Sequence, residues 1–175
     1  MRILGLNFII ALQLLWAGAV AANPQSPGAV SFDFGYFCAM ETVDTQVADD
    51  TISGVVNLVD GLPNFIRQTT IIPAKIGVGF GVQVEVAPNY AGQATVVTVH
   101  PPMGERNVTR ESWQTHLDAG DPSYNGFTFE YDYELALGPW SLSATRDGRL
   151  IYKVDFLVVD PSNLPPIACG RALMS

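Results

Sequence analysis

Apolar and polar residues alternate with a period of two along much of this chain. In the segment 78–86 every second residue is valine or phenylalanine, with glycine, glutamine and glutamate between them. Segments 30–38, 94–99 and 150–158 carry a similar alternation. Successive side chains of a strand point to opposite faces of a sheet, so this pattern predicts half-buried β-strands. In the first segment we expect Val30 to share the buried face with Phe32, Phe34, Tyr36 and Cys38.

The clearest alternation runs from Phe127 to Leu135. The odd positions are Phe, Phe, Tyr, Tyr and Leu, and the even positions after Thr128 are Glu130, Asp132 and Glu134. Such a strand would sort its side chains onto a buried aromatic face and a solvated acidic face. We therefore predict a long strand here.

Turn signals separate the remaining segments. Ser53–Val59 is an extended stretch that ends at Asp60-Gly61. Gly138-Pro139-Trp140 leads into a strand that runs to Arg146, with Trp140 placed on the core. Asp147-Gly148 follows and suits a tight hairpin turn, because both central residues of that turn take positive φ angles.

One segment, Thr109–Leu117, resembles a helix, because Glu111, Trp113 and Leu117 occur at spacings that are compatible with a helix. Prolines flank it on both sides, so we predict a long excursion over residues 101–125 that holds one helical turn. Seven or so short strands without β-α alternation predict an all-β fold. The expected architecture is an immunoglobulin-like antiparallel β-sandwich.

The N-terminus has the features of an export signal. Arg2 precedes the apolar stretch Leu4–Trp16, and Ala19-Val20-Ala21 offers a small-x-small cleavage site. We predict a signal helix over residues 1–21 that is cleaved, a sandwich domain over residues 22–160 and a tail over residues 161–175. The mature protein is then periplasmic or secreted. No later segment approaches 18 uninterrupted apolar residues, so no membrane association is expected after cleavage.

Two cysteines, Cys38 and Cys169, lie near the two ends of the predicted mature chain. In an oxidising compartment an even cysteine count indicates a disulfide. A bridge between them would tie the tail to the first strand. The alternative is a metal site built on these thiols, but their spacing matches no zinc pattern.

The formal net charge is −8, with nine Lys and Arg residues scattered along the chain. Nucleic acid is an unsuitable partner because phosphate binding needs a basic patch. The acidity favours solubility or cationic partners. No cofactor motif is present, since the glycines at 77, 79 and 81 lack the spacing of a phosphate loop.

Several short motifs together resemble an uncharacterised bacterial domain family. They are Ile72-Pro73-Ala74, Gly77, Phe80-Gly81, His100-Pro101, Gly120-Asp121-Pro122-Ser123-Tyr124, Gly126, Glu134-Leu135, Gly138-x-Trp140, Gly148 and Phe156-x-Val158. The resemblance spans about Ile72 to Val159. It implies an exported β-sandwich domain of unknown function, and it brings no catalytic residues.

Two catalytic or metal-binding hypotheses compete with a purely structural interpretation. His100 and Met103, with His116, suggest a periplasmic copper carrier, because imidazole and thioether suit copper. Glu130 and Asp132 suggest a carboxylate-based hydrolase, since alternate residues on a strand lie about 6.6–6.8 Å apart. Asp44, Asp49 and Asp50 lack the order of a calcium loop, so a mobile loop is predicted there.

A third hypothesis places function in the predicted excursion. Trp113 and Tyr124 lie within it, and aromatic residues beside polar ones suit contacts with proteins or sugars. Packing under a long loop explains them equally. The sequence favours a non-catalytic binding or interaction module whose partner is an unknown protein or glycan of the cell envelope. Trp113 and Tyr124 are its candidate binding surface.

Overall fold

The regular structure of residues 23–169 is almost entirely β-strand. A computed structural model describes residues 23–169. Its strands, in chain order, are β1 Ala29–Cys38, β2 Thr42–Val47, β3 Val55–Val59, β4 Ile71–Pro73, β5 Val78–Val86, β6 Gly92–Met103, β7 Val108–Leu117, β8 Ser123–Thr128, β9 Gly138–Arg146 and β10 Arg149–Val159. Short 3-10 turns cover Pro88–Tyr90, Asp132–Glu134 and Pro161–Asn163. The predicted signal segment, residues 1–21, lies outside the described residues.

The strands form a sandwich with an added hairpin. One sheet has the order β4-β10-β9-β6-β7, the other has the order β1-β5-β8, and β2 pairs with β3. All pairings are antiparallel except that of β4 with β10. Phe80 of β5 packs on Phe156 of β10 and Trp140 of β9, with ring centroids 5.1 and 5.5 Å apart. The expectation of an all-β sandwich is confirmed.

The central strand β5 follows its sequence pattern. Val78, Phe80, Val82, Val84 and Val86 are all at most 1% exposed, as the alternation predicted. Asp147 and Gly148 have φ angles of 50° and 74°, so they form the predicted tight turn between β9 and β10. The alternation therefore identified these strands correctly.

A β-bulge corrects one detail of β1. Val30 was expected on the buried face, but its side chain is 63% exposed. The register shifts between Ala29 and Ser31, which pair with Val86 and Glu85, so Val30 is the extra residue of the bulge. Phe32 and Phe34, further along β1, pack against the core as predicted.

The predicted strand Phe127–Leu135 is wrong over most of its length. β8 ends at Thr128, and Asp132–Glu134 is a 3-10 turn. The faces are also reversed, since Tyr131 and Tyr133 are more than 40% exposed while Glu134 is 8% exposed. Phe129 still bonds to Val78, the first residue of β5, but the residues after it have no further strand to pair with.

The predicted excursion over residues 101–125 and its helical turn are also wrong. β6 continues through the prolines to Met103, and β7 returns antiparallel to it over ten residues. A tight turn joins them, with positive φ at Gly104 and Asn107. β7 presents few apolar residues because it is the last strand of its sheet.

A hairpin replaces the loop predicted around Asp44, Asp49 and Asp50. Asp44 lies in β2, which pairs with β3, and the other two aspartates lie in the turn between these strands. All six residues of β2 are exposed. We call this hairpin, residues 42–59, the flap.

The tail returns to the first strand as predicted. Cys38 and Cys169 form a disulfide, with their Cα atoms 5.1 Å apart. Lys75 Nζ donates a hydrogen bond of 2.7 Å to Ile167 O nearby. No helical segment among residues 23–169 has the length and hydrophobicity needed to cross a bilayer.

Candidate functional site

A cleft lies between the flap and one open side of the sandwich. β7 is the last strand of the five-stranded sheet and β8 is the last strand of the three-stranded sheet. The cleft has two adjoining lobes of about 200 and about 440 Å³. Residues lining both lobes are Val56, Asn57, Val59, Trp113, Tyr124 and Gly126.

The flap is attached to the sandwich by a few hydrogen bonds. Gln46 Nε2 donates to Gln114 O over 2.9 Å, and Asn57 Nδ2 donates to Glu130 Oε1 over 3.0 Å. At its turn, the backbone carbonyl of Asp50 accepts from Ser112 N over 3.2 Å. The outer backbone edge of β7 therefore faces the flap and the cleft.

The structure brings the two predicted binding residues to the same place. Trp113 of β7 and Tyr124 of β8 are both half-buried and face the cleft from different sheets. Tyr124 packs edge-on against Phe37, with ring centroids 5.3 Å apart. Burial, and to a smaller extent the neighbouring Tyr152, raises the pKa of Tyr124 above its usual range. Tyr124 is therefore a neutral wall of the cleft, and its role in binding stays a prediction.

Glycines make room for the Tyr124 ring. A Cβ atom on Gly126 would overlap Tyr124 Oη and Phe80 O, and one on Gly81 would overlap Asn125 O and the Tyr124 ring. At both positions the backbone lies close to a neighbouring strand, which leaves no room for a side chain. The position of the Tyr124 ring in the cleft wall thus depends on glycine at residues 81 and 126.

A buried histidine–glutamate pair lies beneath the cleft. His100 Nδ1 is 2.8 Å from Pro101 O, a carbonyl that only accepts, so Nδ1 carries a proton. His100 Nε2 lies 3.3 Å from Glu111 Oε1, and neither atom has another polar partner. His100 and Glu111 are therefore each other's nearest polar neighbours at these atoms, and their contact joins β6 to β7 inside the protein.

Glu111 also connects this pair to the flap. Its Oε2 accepts a hydrogen bond of 2.6 Å from Ile52 N in the flap turn. The ring of His100 packs on Trp140, with centroids 4.8 Å apart, and its side chain is fully buried. The Glu111 carboxylate thus connects the flap turn, through His100, to Trp140 in the core.

This arrangement gives no support to the copper hypothesis. His116 pairs with Gln93, seven residues from His100 along β6, which places the two histidines roughly 24 Å apart. Met103 is 2% exposed in the core, whereas His116 is exposed beside Asp118. Within residues 23–169 no three His, Cys, Asp or Glu side chains are grouped to hold a metal ion.

The hydrolase hypothesis depended on a strand face that does not exist. Glu130 follows the end of β8, and Asp132 begins the 3-10 turn, so the two do not alternate along a strand. Glu130 Oε1 accepts from Asn57, and Asp132 is exposed. The residue that sequence reasoning missed is Glu134, which is buried at the cleft wall.

Glu134 has an unusual carboxyl group. Burial raises its pKa from 4.5 to about 7, against the lowering effect of hydrogen bonds from Tyr131 N and Glu130 N. The nearby carboxylates of Glu130 and Glu111 raise the pKa further. Both backbone hydrogen bonds, of 2.9 and 2.6 Å, go to Oε2. Glu134 therefore exchanges a proton near neutral pH.

This raised pKa predicts a pH-dependent stability that Glu134→Gln removes. Between pH 4.5 and about 7 the folded protein keeps a proton on Glu134 that the unfolded chain releases. The free energy of unfolding of the wild type, relative to the Gln variant, should therefore fall by up to about 3 kcal/mol as pH rises through this window. Urea unfolding at several pH values measures this difference. Parallel curves for both proteins would contradict it, and Glu105→Gln, at an exposed turn, is the matched control.

Comparisons with known proteins identify the fold. A family model described as a domain of unknown function matches residues 25–158. This confirms the family resemblance and extends it to β1, β2 and β3. An immunoglobulin-like protein from Pseudomonas aeruginosa has a similar solved structure, with a TM-score of 0.52 and 20% identity. The similarity covers 81% of this chain and 100% of that one, and it supports the immunoglobulin-like fold alone. No curated protein matches the chain.

Proposed function

Because the chain belongs to the DUF3859 family, a domain of unknown function, we propose its role from its own cleft. The protein is a non-catalytic binding module that acts outside the cytoplasm, in the periplasm or after secretion. It holds a partner of the cell envelope, a protein or a glycan, between the flap and the open side of the sandwich. The observation that carries this proposal is the two-lobed cleft with Trp113 and Tyr124 on its walls.

The disulfide supports the compartment. Thiols are kept reduced in the cytosol, so a disulfide that joins the first strand to the tail fits an oxidising environment. The export signal predicted over residues 1–21 agrees with this location. Both features are expected of a protein that meets its partner in the cell envelope.

The chemistry of the cleft supports binding over catalysis. The carboxylates of Glu111, Glu130 and Glu134 each accept hydrogen bonds from the flap or from the backbone beside the 3-10 turn. These bonds give the carboxylates a role in holding the cleft walls. Trp113 and Tyr124 offer rigid, amphipathic contact area, which suits a recognition surface.

Site-specific crosslinking tests this function. A photo-crosslinking amino acid at Val56, inside the cleft, should trap a partner in intact cells, and Trp113→Ala should lower the yield at least tenfold. The same crosslinker at Leu157, which is 43% exposed on β10 and does not line the cleft, should give no such product. An unchanged yield in Trp113→Ala, or equal products from both positions, would contradict the proposal. Circular dichroism of Trp113→Ala verifies that the fold is retained.

A further inference from the structure

The charges around the cleft are of one sign. Glu111, Glu130 and Glu134 line the smaller lobe, and Asp121 lines the larger. Neither lobe has a lysine, arginine or histidine among its lining residues in the described part of the chain. An anionic ligand would meet only repulsion there, whereas a cationic one would meet complementary charge.

Two of these carboxylates have no cationic partner. The ion pairs within residues 23–169 are His100–Glu111, His116–Asp118, Arg146–Asp147 and Lys153–Asp155. Glu130 and Glu134 are absent from this set. Their hydrogen bonds engage Glu130 Oε1 and Glu134 Oε2, and a carboxylate has acceptor sites on both oxygens. A positive group in the cleft would gain these acceptors.

Aromatic rings stand beside the carboxylates. Tyr131 lines the same lobe and stacks on Tyr133, with ring centroids 5.4 Å apart and planes within 8°. Both tyrosines are more than 40% exposed. Trp113 lines the same lobe from strand β7. Faces of tryptophan and tyrosine attract guanidinium and ammonium groups. Ring faces and carboxylates together suit an arginine or lysine side chain.

The shape of the cleft favours an extended peptide as the bearer of that charge. The flap already satisfies Gln114 O and Ser112 N of β7, through Gln46 and Asp50, so an occupant is held by the side chains of the cleft. Acidic groups line both adjoining lobes, of about 200 and about 440 Å³. A segment that extends through both lobes can present several basic side chains to these acids.

We propose that the occupant of the cleft is a basic peptide segment of a partner protein, with arginine or lysine side chains directed at Glu130 and Glu134 and framed by Trp113 and Tyr131. This inference rests on the proposed function, because it names the chemistry of the partner bound in the same cleft. The net charge of −8 would also steer such a segment toward the protein.

The proposal predicts that binding releases protons and depends on pH. A bound cation stabilises the ionised form of Glu134 and lowers its pKa from about 7. Binding near pH 7 therefore releases protons, and affinity rises as pH increases from about 6 to 8. Glu130 and Glu111 are the acidic groups near Glu134 whose charges raise its pKa, and a bound cation offsets that effect.

Fluorescence titration of the full chain tests the proposal. Trp113 faces the cleft whereas Trp140 is buried, so the difference between wild type and Trp113→Phe reports the cleft. The probes are a decapeptide in which arginine alternates with serine, the same peptide with neutral citrulline for arginine, and a neutral chitin tetrasaccharide. We expect the arginine peptide to bind at least tenfold more tightly than either other probe.

Charge variants identify the site. Glu130→Gln with Glu134→Gln should weaken arginine-peptide binding at least tenfold and abolish the proton release. Glu105→Gln with Asp147→Asn, which removes the same charge from exposed turns, should weaken it less than threefold. Glu130→Gln alone keeps an oxygen for Asn57 Nδ2 and serves if the double variant does not fold.

Each other outcome overturns the inference. Equal binding of the citrulline peptide, preferential binding of the tetrasaccharide, or equal losses in the two double variants would each exclude a basic segment at Glu130 and Glu134. A neutral probe that binds in a Trp113-dependent manner would leave the proposed function standing. The crosslinking experiment decides that function separately, since it uses the native partner whatever its charge.

Discussion

Removing the disulfide should destabilise the folded protein by about 4–5 kcal/mol. Cys38 and Cys169 are 131 residues apart, and in the chain-entropy model a crosslink across so long a loop strongly restricts the unfolded chain. The double variant Cys38→Ala with Cys169→Ala is expected to show this loss in urea unfolding. Its melting temperature should fall by roughly 10–20 °C. Replacing both cysteines avoids a free thiol.

Reductant provides the control for this experiment. Adding it to the wild type should lower stability to the level of the double variant, and the variant itself should not respond. Ile167 packs against the core beside the bridge, so the tail keeps part of its attachment in the variant. A double variant within about 1 kcal/mol of the wild type would show that the crosslink does not act through the unfolded chain.

The second large effect is expected from Trp140→Ala, which should cost about 3–5 kcal/mol. Trp140 is 2% exposed and contacts Phe80, Phe127 and Phe129, with ring centroids 5.1–5.9 Å away. Its Nε1 donates to Ala136 O over 2.9 Å. Truncation removes the ring from the middle of the core, leaves a cavity and orphans that carbonyl. Urea unfolding followed by far-UV circular dichroism measures the loss.

Trp113→Ala is the matched control, since it makes the same truncation at a half-buried position of the cleft. It should cost clearly less than Trp140→Ala. Trp140→Phe, which keeps an aromatic ring but loses the hydrogen bond, should be intermediate. If the two alanine variants were equally destabilised, Trp140 would not be the centre of the core, and Trp113 would be a packing residue.

The sequence predicted correctly those strands that are paired with neighbouring strands along most of their length. The apolar positions of β5 alternate, and both of its neighbours, β1 and β8, run alongside it for most of its length. Asp147-Gly148 specified its own turn, because the positive φ angles are a local property. With two cysteines in the chain, only one intramolecular pairing existed.

The failures have a common cause. Phe127–Leu135 alternates well, but β5 begins at Val78, and the hydrogen bonds of this edge end at Phe129, which bonds to Val78 O and Gly77 N. Alternation records which side chains share a face and carries no information on where the neighbouring strand ends. β7 shows the reverse case. Its polar composition resembles a loop, yet the free edge of β6 made it a strand.

The candidate site was partly visible in the sequence. The sequence indicated Trp113 and Tyr124 as candidates because it placed both in an excursion, whereas each lies on a strand. The flap could have been found, because Thr42–Val47 and Val55–Val59 are rich in β-branched residues and are separated by turn residues. The sequence placed Glu134 on a solvated face and did not indicate its burial, because that burial depends on the chain leaving β8 and turning back.

By itself the sequence determined the class of fold, the strands of the core, one tight turn and the cysteine pair, since these depend on local alternation, turn chemistry and counting. Only the tertiary structure decided the cleft, the His100–Glu111 pair and the buried Glu134. These features join residues from separate parts of the chain, and burial by such neighbours raises the pKa of Glu134. Burial and register are properties of the packed sheets, and no segment carries them alone.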